Sequence, residues 1–328
     1  MPLKPKIFLI LKLLLSSTII AYVLYNYINI DEFLLSLQQI NILVLPLLII
    51  LPYLTRFTVA HQTKIVLLPF QIRIPTYHVF KIQLIATLYG IVLPGSIVGG
   101  GVSWYLLSKD NGRRAEVASI LIYLRIINLI ILLPLALIGI YFEPQLKSYH
   151  LESAVLVLLL LLAFMLVPFF IHPIASRLES WLNILIRLVP VKSLSKRLLE
   201  ANRNVWNAIK ITGRMSISLQ TQIIAWSVIS QILAIITMNL ALITVNIEVP
   251  LLTATWLLAL LTLISMLPIT IAGIGVRDLS LIVILDRFYA IPAEFAILLS
   301  TLLLFINVIF FGAILGGYYA ITYNNINK

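Results

Sequence analysis

The sequence predicts an all-α polytopic membrane protein with about seven to nine membrane segments. Hydrophobic residues make up 61% of the 328 positions and charged residues 11%. A soluble domain is roughly half apolar and about a quarter charged. The apolar residues form long blocks, such as 151–170 and 297–320, that would each cross a bilayer as a helix. These observations exclude a soluble cytosolic enzyme and favour a single integral membrane domain over residues 1–328.

The first predicted spans follow the apolar runs in chain order. A run at about 7–28 lies behind a basic N-terminus and has no small-residue cleavage site, so we predict an uncleaved span and no signal peptide. The second span, at about 40–60, carries Pro46 and Pro52, which predict a kinked helix.

A third apolar block starts near Val79 and ends in a glycine-rich run that reaches Gly101. A short helical piece is predicted after that run, at 102–107. The remaining apolar segments are predicted at about 115–141, 152–172, 219–245, 251–268, 276–290 and 293–321.

Basic residues alternate with acidic residues from one connection to the next. Every other connection between spans, beginning with the N-terminus, is basic, and together these carry nearly all the Lys and Arg. The connections between them are mostly acidic, for example at Asp31-Glu32 and Glu143. The positive-inside rule therefore predicts a cell-membrane protein whose N-terminus, 173–218 connection and C-terminus face the cytoplasm.

The basic 173–218 connection allows two interpretations. Leucines at helical spacing and two tryptophans among eight basic residues are typical of a helix on an anionic membrane surface. An ordinary cytoplasmic connection would also be basic. The predicted partners are anionic membrane lipids; nothing else in the sequence supports nucleic-acid binding.

Two glycine- and proline-rich runs organise the chain as a repeat. Six of ten positions are identical between residues 93–102 and 267–276. The surrounding spans occur in the same order, which predicts repeat halves at about 40–141 and 219–321. The two copies are entered from opposite sides of the membrane, so we predict an inverted repeat with two broken, re-entrant pieces.

Inverted, broken segments indicate a transporter site near the bilayer midplane. Proline removes a backbone donor and glycine permits non-helical conformations, and backbone groups freed in this way must line a cavity or be buried in protein. The alternative is that such glycines serve close helix packing alone, as Gly312 and Gly316 also would.

Ionisable residues within apolar runs are candidates for substrate contact. Arg125 lies well inside the 115–141 span, and Arg277 and Asp278 follow the second motif directly. Arg277 would clamp a phosphate, with Asp278 as its partner, or the two would form an internal ion pair that fixes the hairpin.

Signs of catalysis, metal binding or cofactor binding are few. The chain has no cysteine, its four histidines lack metal-ligand spacing, and it has no nucleophile or phosphate-loop motif. We therefore predict no metal, no cofactor and no enzyme. The acidic pair Asp31-Glu32 leaves open a membrane glycosyltransferase that uses a lipid-linked sugar.

The two motifs resemble the signatures of the flippase-like transmembrane family of lysylphosphatidylglycerol synthases. The first match comprises Pro94-Gly95-Ser96-Ile97, Gly99-Gly100, Trp104–Leu107 and Arg125. The second comprises Leu267-Pro268-Ile269 and Gly273-x-Gly275-Val276-Arg277-Asp278. The first signature departs from the family pattern: family members commonly carry an acidic residue after the paired glycines and an Arg shortly after, whereas Gly101 and Ser103 or Trp104 stand there in this chain. No acidic residue directly precedes Arg125.

The resemblance implies translocation of an anionic glycerophospholipid or a polyprenyl-linked lipid between leaflets. We expect a standalone member without the aminoacyl-transferase domain, and a separately encoded lipid-modifying enzyme is a possible partner. A non-catalytic role beside that enzyme is an alternative, and the oligomeric state is open. The predicted substrate-binding residues are Pro94, Gly95, Gly99, Gly100, Gly101, Arg125, Pro268, Gly273, Gly275, Arg277 and Asp278.

Overall fold

A computed structural model describes residues 29–326 except 93–95, 145, 147–150, 189–191 and 267–274, together with 17–19, 22 and 25. Within these ranges, side chains are described everywhere but at 30, 92, 96–98, 151, 192 and 323–326. All regular secondary structure in the described part of the chain is helical. The predicted first span, at about 7–28, lies mostly outside the described residues.

The α-helices of the described residues differ widely in length, from 9 to 28 residues. They are α1 (Ile30–Gln38), α2 (Leu45–Leu67), α3 (Thr76–Val92), α4 (Ser96–Ser108), α5 (Arg114–Tyr141), α6 (Leu151–Phe170), α7 (His172–Arg187), α8 (Lys192–Gly213), α9 (Ile217–Thr244), α10 (Leu251–Met266), α11 (Val276–Tyr289), α12 (Ala293–Leu304) and α13 (Gly317–Ile326). A π-helical segment, Phe305–Gly316, joins α12 to α13.

In the part of the chain that the structure describes, five helical segments are long and apolar enough to cross a membrane. They are Ile42–Phe70, Arg114–Tyr141, Glu152–Phe170, Ile217–Thr244 and Ala293–Thr322. Helix α10 is a shorter apolar helix. The prediction of an all-α polytopic membrane protein is confirmed, and the chain is a multi-pass membrane protein.

Helices α4 and α11 are too short to span a bilayer in an α-helical conformation. They contain 13 and 14 residues, which corresponds to roughly 20 Å at ~1.5 Å per residue, against a hydrocarbon core of about 30 Å. Helix α3 packs along α4, and α11 packs on α12. Each short helix is therefore paired with a neighbour that follows or precedes it in the chain.

Two details of the predicted helices are wrong. Helix α2 runs on to Leu67, beyond the predicted end at about 60, and includes the polar residues 61–64, of which Gln62 and Thr63 are buried. Pro46 lies in the first turn of α2, where the missing backbone N–H costs no hydrogen bond, so only Pro52 is internal to the helix.

The glycine run of the first motif is also more regular than predicted. We expected residues 93–101 to be broken and a short helix to begin at 102. Helix α4 instead begins at Ser96, so Gly99, Gly100 and Gly101 have helical backbone. Glycine costs only about 1 kcal/mol relative to alanine within a helix, and packing overrides that preference here.

Close helix contacts hold the bundle together. Helices α2 and α9 pack along each other, α3 packs on the π-helical segment, and α5 packs on α10. A Cβ atom built at Gly316 would lie 2.5 Å from the Leu84 carbonyl oxygen on α3. One built at Gly139 on α5 would lie 2.6 Å from the Leu252 carbonyl oxygen on α10. Both contacts exist because glycine lacks a Cβ atom.

A buried polar network links α2, α5 and α9. The Gln62 amide donates to Ser227 Oγ at 2.7 Å and to the Ile223 carbonyl at 2.9 Å. Ser227 in turn donates to Asn128 Oδ1. The Gln62 and Ser227 side chains are fully buried. Because each of these polar groups has a partner, the network fixes the relative rotation of three helices.

Candidate substrate-binding cavity

Three arginines line one cavity of about 600 Å³ in the helical bundle. Arg56 reaches it from α2, Arg125 from α5 and Arg277 from α11, while α9, α10, α12 and the π-helical segment complete the wall. Among the described lining residues none is acidic, and the polar ones besides the arginines are Thr55, Thr237, Thr262, Ser265 and Asn307. The cavity therefore concentrates positive charge next to hydroxyl and amide groups.

Arg277 is buried and held in place by α12. Its Nε donates to Ser300 Oγ at 3.0 Å, and its Nη2 donates to the Ser300 carbonyl at 3.0 Å. Nη2 also lies 3.4 Å from Asp278 Oδ1. Two of its contacts are thus neutral and one is an ion pair. Arg277 forms the internal pair with Asp278 and also borders the cavity.

The turn before α11 explains why glycine stands at position 275. Gly275 has a φ of +90°, a conformation that L-residues with a side chain rarely adopt. Its N–H donates to Asp278 Oδ2 at 2.7 Å, and Ser300 Oγ donates to Asp278 Oδ1. Asp278 therefore caps the start of α11 and neutralises Arg277, and it is not among the residues that line the cavity.

Arg56 was missing from the residues predicted from sequence. Its Nη1 donates to Thr87 Oγ1 at 3.3 Å, its Nη2 donates to Asn307 Oδ1 at 3.2 Å, and its guanidinium lies 4.9 Å from the centre of the Phe311 ring. None of these partners is anionic. The rule that selected Arg125, a single charge inside an apolar run, would have found Arg56 as well.

Arg125 has no hydrogen-bond or ion-pair partner within the described ranges. Its side chain borders the arginine-lined cavity and also a second, larger one. Arg56 and Arg125 thus each bring to the cavity a guanidinium group whose charge no described carboxylate neutralises. An anion in this cavity would be attracted to both groups.

The second cavity has a volume of about 730 Å³ and is mostly apolar. It lies between α4, α5 and α6, and its lining includes Trp104, Leu129, Leu162 and Met165. Arg125 is the charged residue in its lining among the described residues. Such a cavity suits a hydrocarbon chain, and Arg125 stands at its border with the charged cavity.

The predicted glycines have different surroundings. Gly100 and Gly101 line the apolar cavity, with open space where a Cβ atom would be. A Cβ atom at Gly99 would instead lie 3.0 Å from the Ala86 carbonyl oxygen, so Gly99 lets α4 approach α3. Pro94, Gly95, Pro268 and Gly273 lie outside the described residues.

The acidic pair Asp31-Glu32 lies in α1 and is absent from the linings of both cavities. Both side chains are exposed, and the Asn29 side chain caps the Asp31 N–H and donates to Glu32 Oε1. In the described part of the chain, no three His, Asp or Glu side chains are grouped closely enough to hold a metal ion.

Comparison with known families gives one match. The model for the lysylphosphatidylglycerol synthase TM region matches residues 9–316 of the chain. Searches of curated proteins and of solved structures gave no match. The matched range includes all three arginines and both cavities.

Proposed function

The chain belongs to the lysylphosphatidylglycerol synthase transmembrane-region family, and on that basis we propose that it moves an anionic lipid between the two leaflets of its membrane. The observation that carries this proposal is the convergence of Arg56, Arg125 and Arg277 on one cavity. The lipid phosphate binds these guanidinium groups. The hydrocarbon chain occupies the apolar cavity on the other side of Arg125.

The charge of the cavity favours an anionic head group over a cationic one. A guanidinium group binds phosphate through two parallel charge-assisted hydrogen bonds. An aminoacylated head group would bring its own cation next to Arg56 and Arg125, with no described carboxylate in the lining to neutralise it. The hydroxyl groups of Thr55, Thr237 and Thr262 donate to carbonyls of their own helices, and their oxygens can accept hydrogen bonds from a glycerol or sugar moiety. We therefore propose phosphatidylglycerol-like or polyprenyl-phosphate lipids as substrates.

We further propose that the halves at about 40–141 and 219–321 form the predicted inverted repeat. Supporting this, α2 packs on α9, and the contact of α3 with the π-helical segment has a counterpart in the contact of α10 with α5. Each contact joins one half to the other. Alternating access would then be a rocking of one half against the other around the arginine-lined cavity.

The proposed orientation places the N-terminus, α7, α8 and the C-terminus in the cytoplasm of a cell-membrane protein. Its support is the excess of Lys and Arg on alternate connections. A lipid-modifying enzyme would deliver or receive the transported lipid at one face.

Reconstitution into liposomes tests the proposal. Tail-labelled fluorescent phosphatidylglycerol is placed in both leaflets, and a membrane-impermeant reductant bleaches the outer leaflet. In protein-free vesicles about half of the signal is protected, whereas an active protein exposes nearly all of it. The matched arm uses the same tail label on a lysine-esterified head group, which we expect to move more slowly. If the protected fraction of fluorescence equals that of empty vesicles for each anionic lipid tested, the proposed transport is refuted.

A further inference from the structure

Helix α7 packs against α8 through its polar side. Glu179 Oε2 accepts a hydrogen bond from Lys210 Nζ at 2.9 Å in an ion pair. The Asn202 side-chain amide donates to Asn183 Oδ1 at 3.0 Å and to the Glu179 carbonyl at 3.3 Å. Ala175, on the same side of α7, is fully buried. The face of α7 that touches protein is thus its hydrophilic one.

The apolar face of α7 points away from the protein. Trp181 is 71% exposed and Leu188 is 75% exposed, and Leu178, Leu182 and Leu185 lie on the same exposed strip. A helix between a protein and water has the opposite arrangement, with its apolar side against the core. Contact between such an apolar strip and water is energetically unfavourable, and large exposed apolar patches mark protein or membrane interaction sites.

Three features identify lipid as the occupant of this strip. Only Ile171 separates α7 from the end of α6, a membrane span, so α7 begins at the membrane boundary. Arg177 and Arg187 are both exposed, Arg177 next to the start of the apolar strip and Arg187 in the last turn of α7. The two helices also carry more basic than acidic residues, which complements an anionic surface.

We propose that α7 lies in the interface of an anionic leaflet, with Leu178, Trp181, Leu182, Leu185 and Leu188 among the acyl chains. Arg177 and Arg187 contact lipid phosphates. Because Glu179 and Asn183 hold α8 on the opposite side, α8 stays on the protein side of α7, where it also packs on α5 and α6. This inference does not depend on lipid transport by the arginine-lined cavity.

Spin labels on single cysteines test the proposal, since the chain contains no native cysteine. Leu185→Cys labels the apolar strip, and Ser180→Cys is the matched control on an exposed polar position of the same helix. In phosphatidylglycerol-containing liposomes, we expect the label at 185 to collide more with oxygen than with a water-soluble nickel complex. The label at 180 should show the reverse.

Two outcomes would overturn the proposal. If nickel reaches both labels equally, α7 lies in water. If the label at 185 is shielded from both reagents and shows spin–spin broadening that disappears on dilution with unlabelled protein, the strip contacts a second copy of the chain. In neutral phosphatidylcholine liposomes, and in an Arg177→Gln/Arg187→Gln variant, we expect shallower immersion; an unchanged depth in both would contradict the role of charge.

Discussion

Replacing Arg125 should separate substrate binding from stability. Arg125 has no hydrogen-bond or ion-pair partner in the described part of the chain, so Arg125→Gln removes a cation without orphaning a described neighbour. A hydrogen bond to a charged group contributes about 1.5–3 kcal/mol. Loss of one phosphate contact should therefore reduce transport of labelled phosphatidylglycerol roughly 10- to 150-fold. The apparent unfolding temperature in detergent should stay the same or rise.

The comparison with Arg277 makes this prediction specific. Arg277→Gln removes contacts to Ser300 and Asp278, and removing one partner of a buried ion pair costs about 3–5 kcal/mol. This variant should lose both transport and thermal stability. Lys81→Gln is the charge-matched control, because Lys81 lies over the Tyr77 ring, away from both cavities, and should leave transport unchanged. Full transport by Arg125→Gln, or equal destabilisation of both arginine variants, would refute the reasoning.

Three further predictions concern stability, measured as unfolding temperature in detergent. Gly275→Ala forces a side chain onto a φ of +90° and should cost about 1–3 kcal/mol, whereas Gly317→Ala, which meets open space, should be neutral or stabilising. Gly316→Ala places a Cβ atom 2.5 Å from the Leu84 carbonyl oxygen and should cost about 1–3 kcal/mol; equal unfolding temperatures for the 316 and 317 variants would contradict this contact. Gln62→Leu removes the donor to buried Ser227 Oγ and the acceptor of the Asn128 amide and should cost about 1–3 kcal/mol, and an unchanged temperature would show that the polar network contributes nothing.

Sequence patterns predicted the class of fold because membrane spans are governed by local composition. Every described long span overlaps a predicted one, and charges within or beside apolar runs pointed to Arg125 and Arg277, two of the arginines that line the cavity. The helical backbone at Gly99–Gly101 was not predictable in this way, because packing of α4 against α3 overrides the local preference of glycine.

The shared cavity could not be derived from any single segment. Arg56, Arg125 and Arg277 lie far apart in the sequence, and their convergence depends on how α2, α5 and α11 pack. The same applies to α7, whose amphipathic pattern is readable from the sequence. Which of its faces touches protein became clear only from the contacts of Glu179 and Asn183 with α8.

Because Phe305–Gly316 is π-helical, a change in the number of residues in this segment should disturb the contacts on either side of it. Each residue in an α-helix turns the chain by about 100°. Deleting one residue between Asn307 and Gly312 would rotate the two sides of the segment relative to each other and move either Asn307, the partner of Arg56, or Gly312, which faces α3, out of place. We therefore expect substitutions to be tolerated here more readily than insertions or deletions.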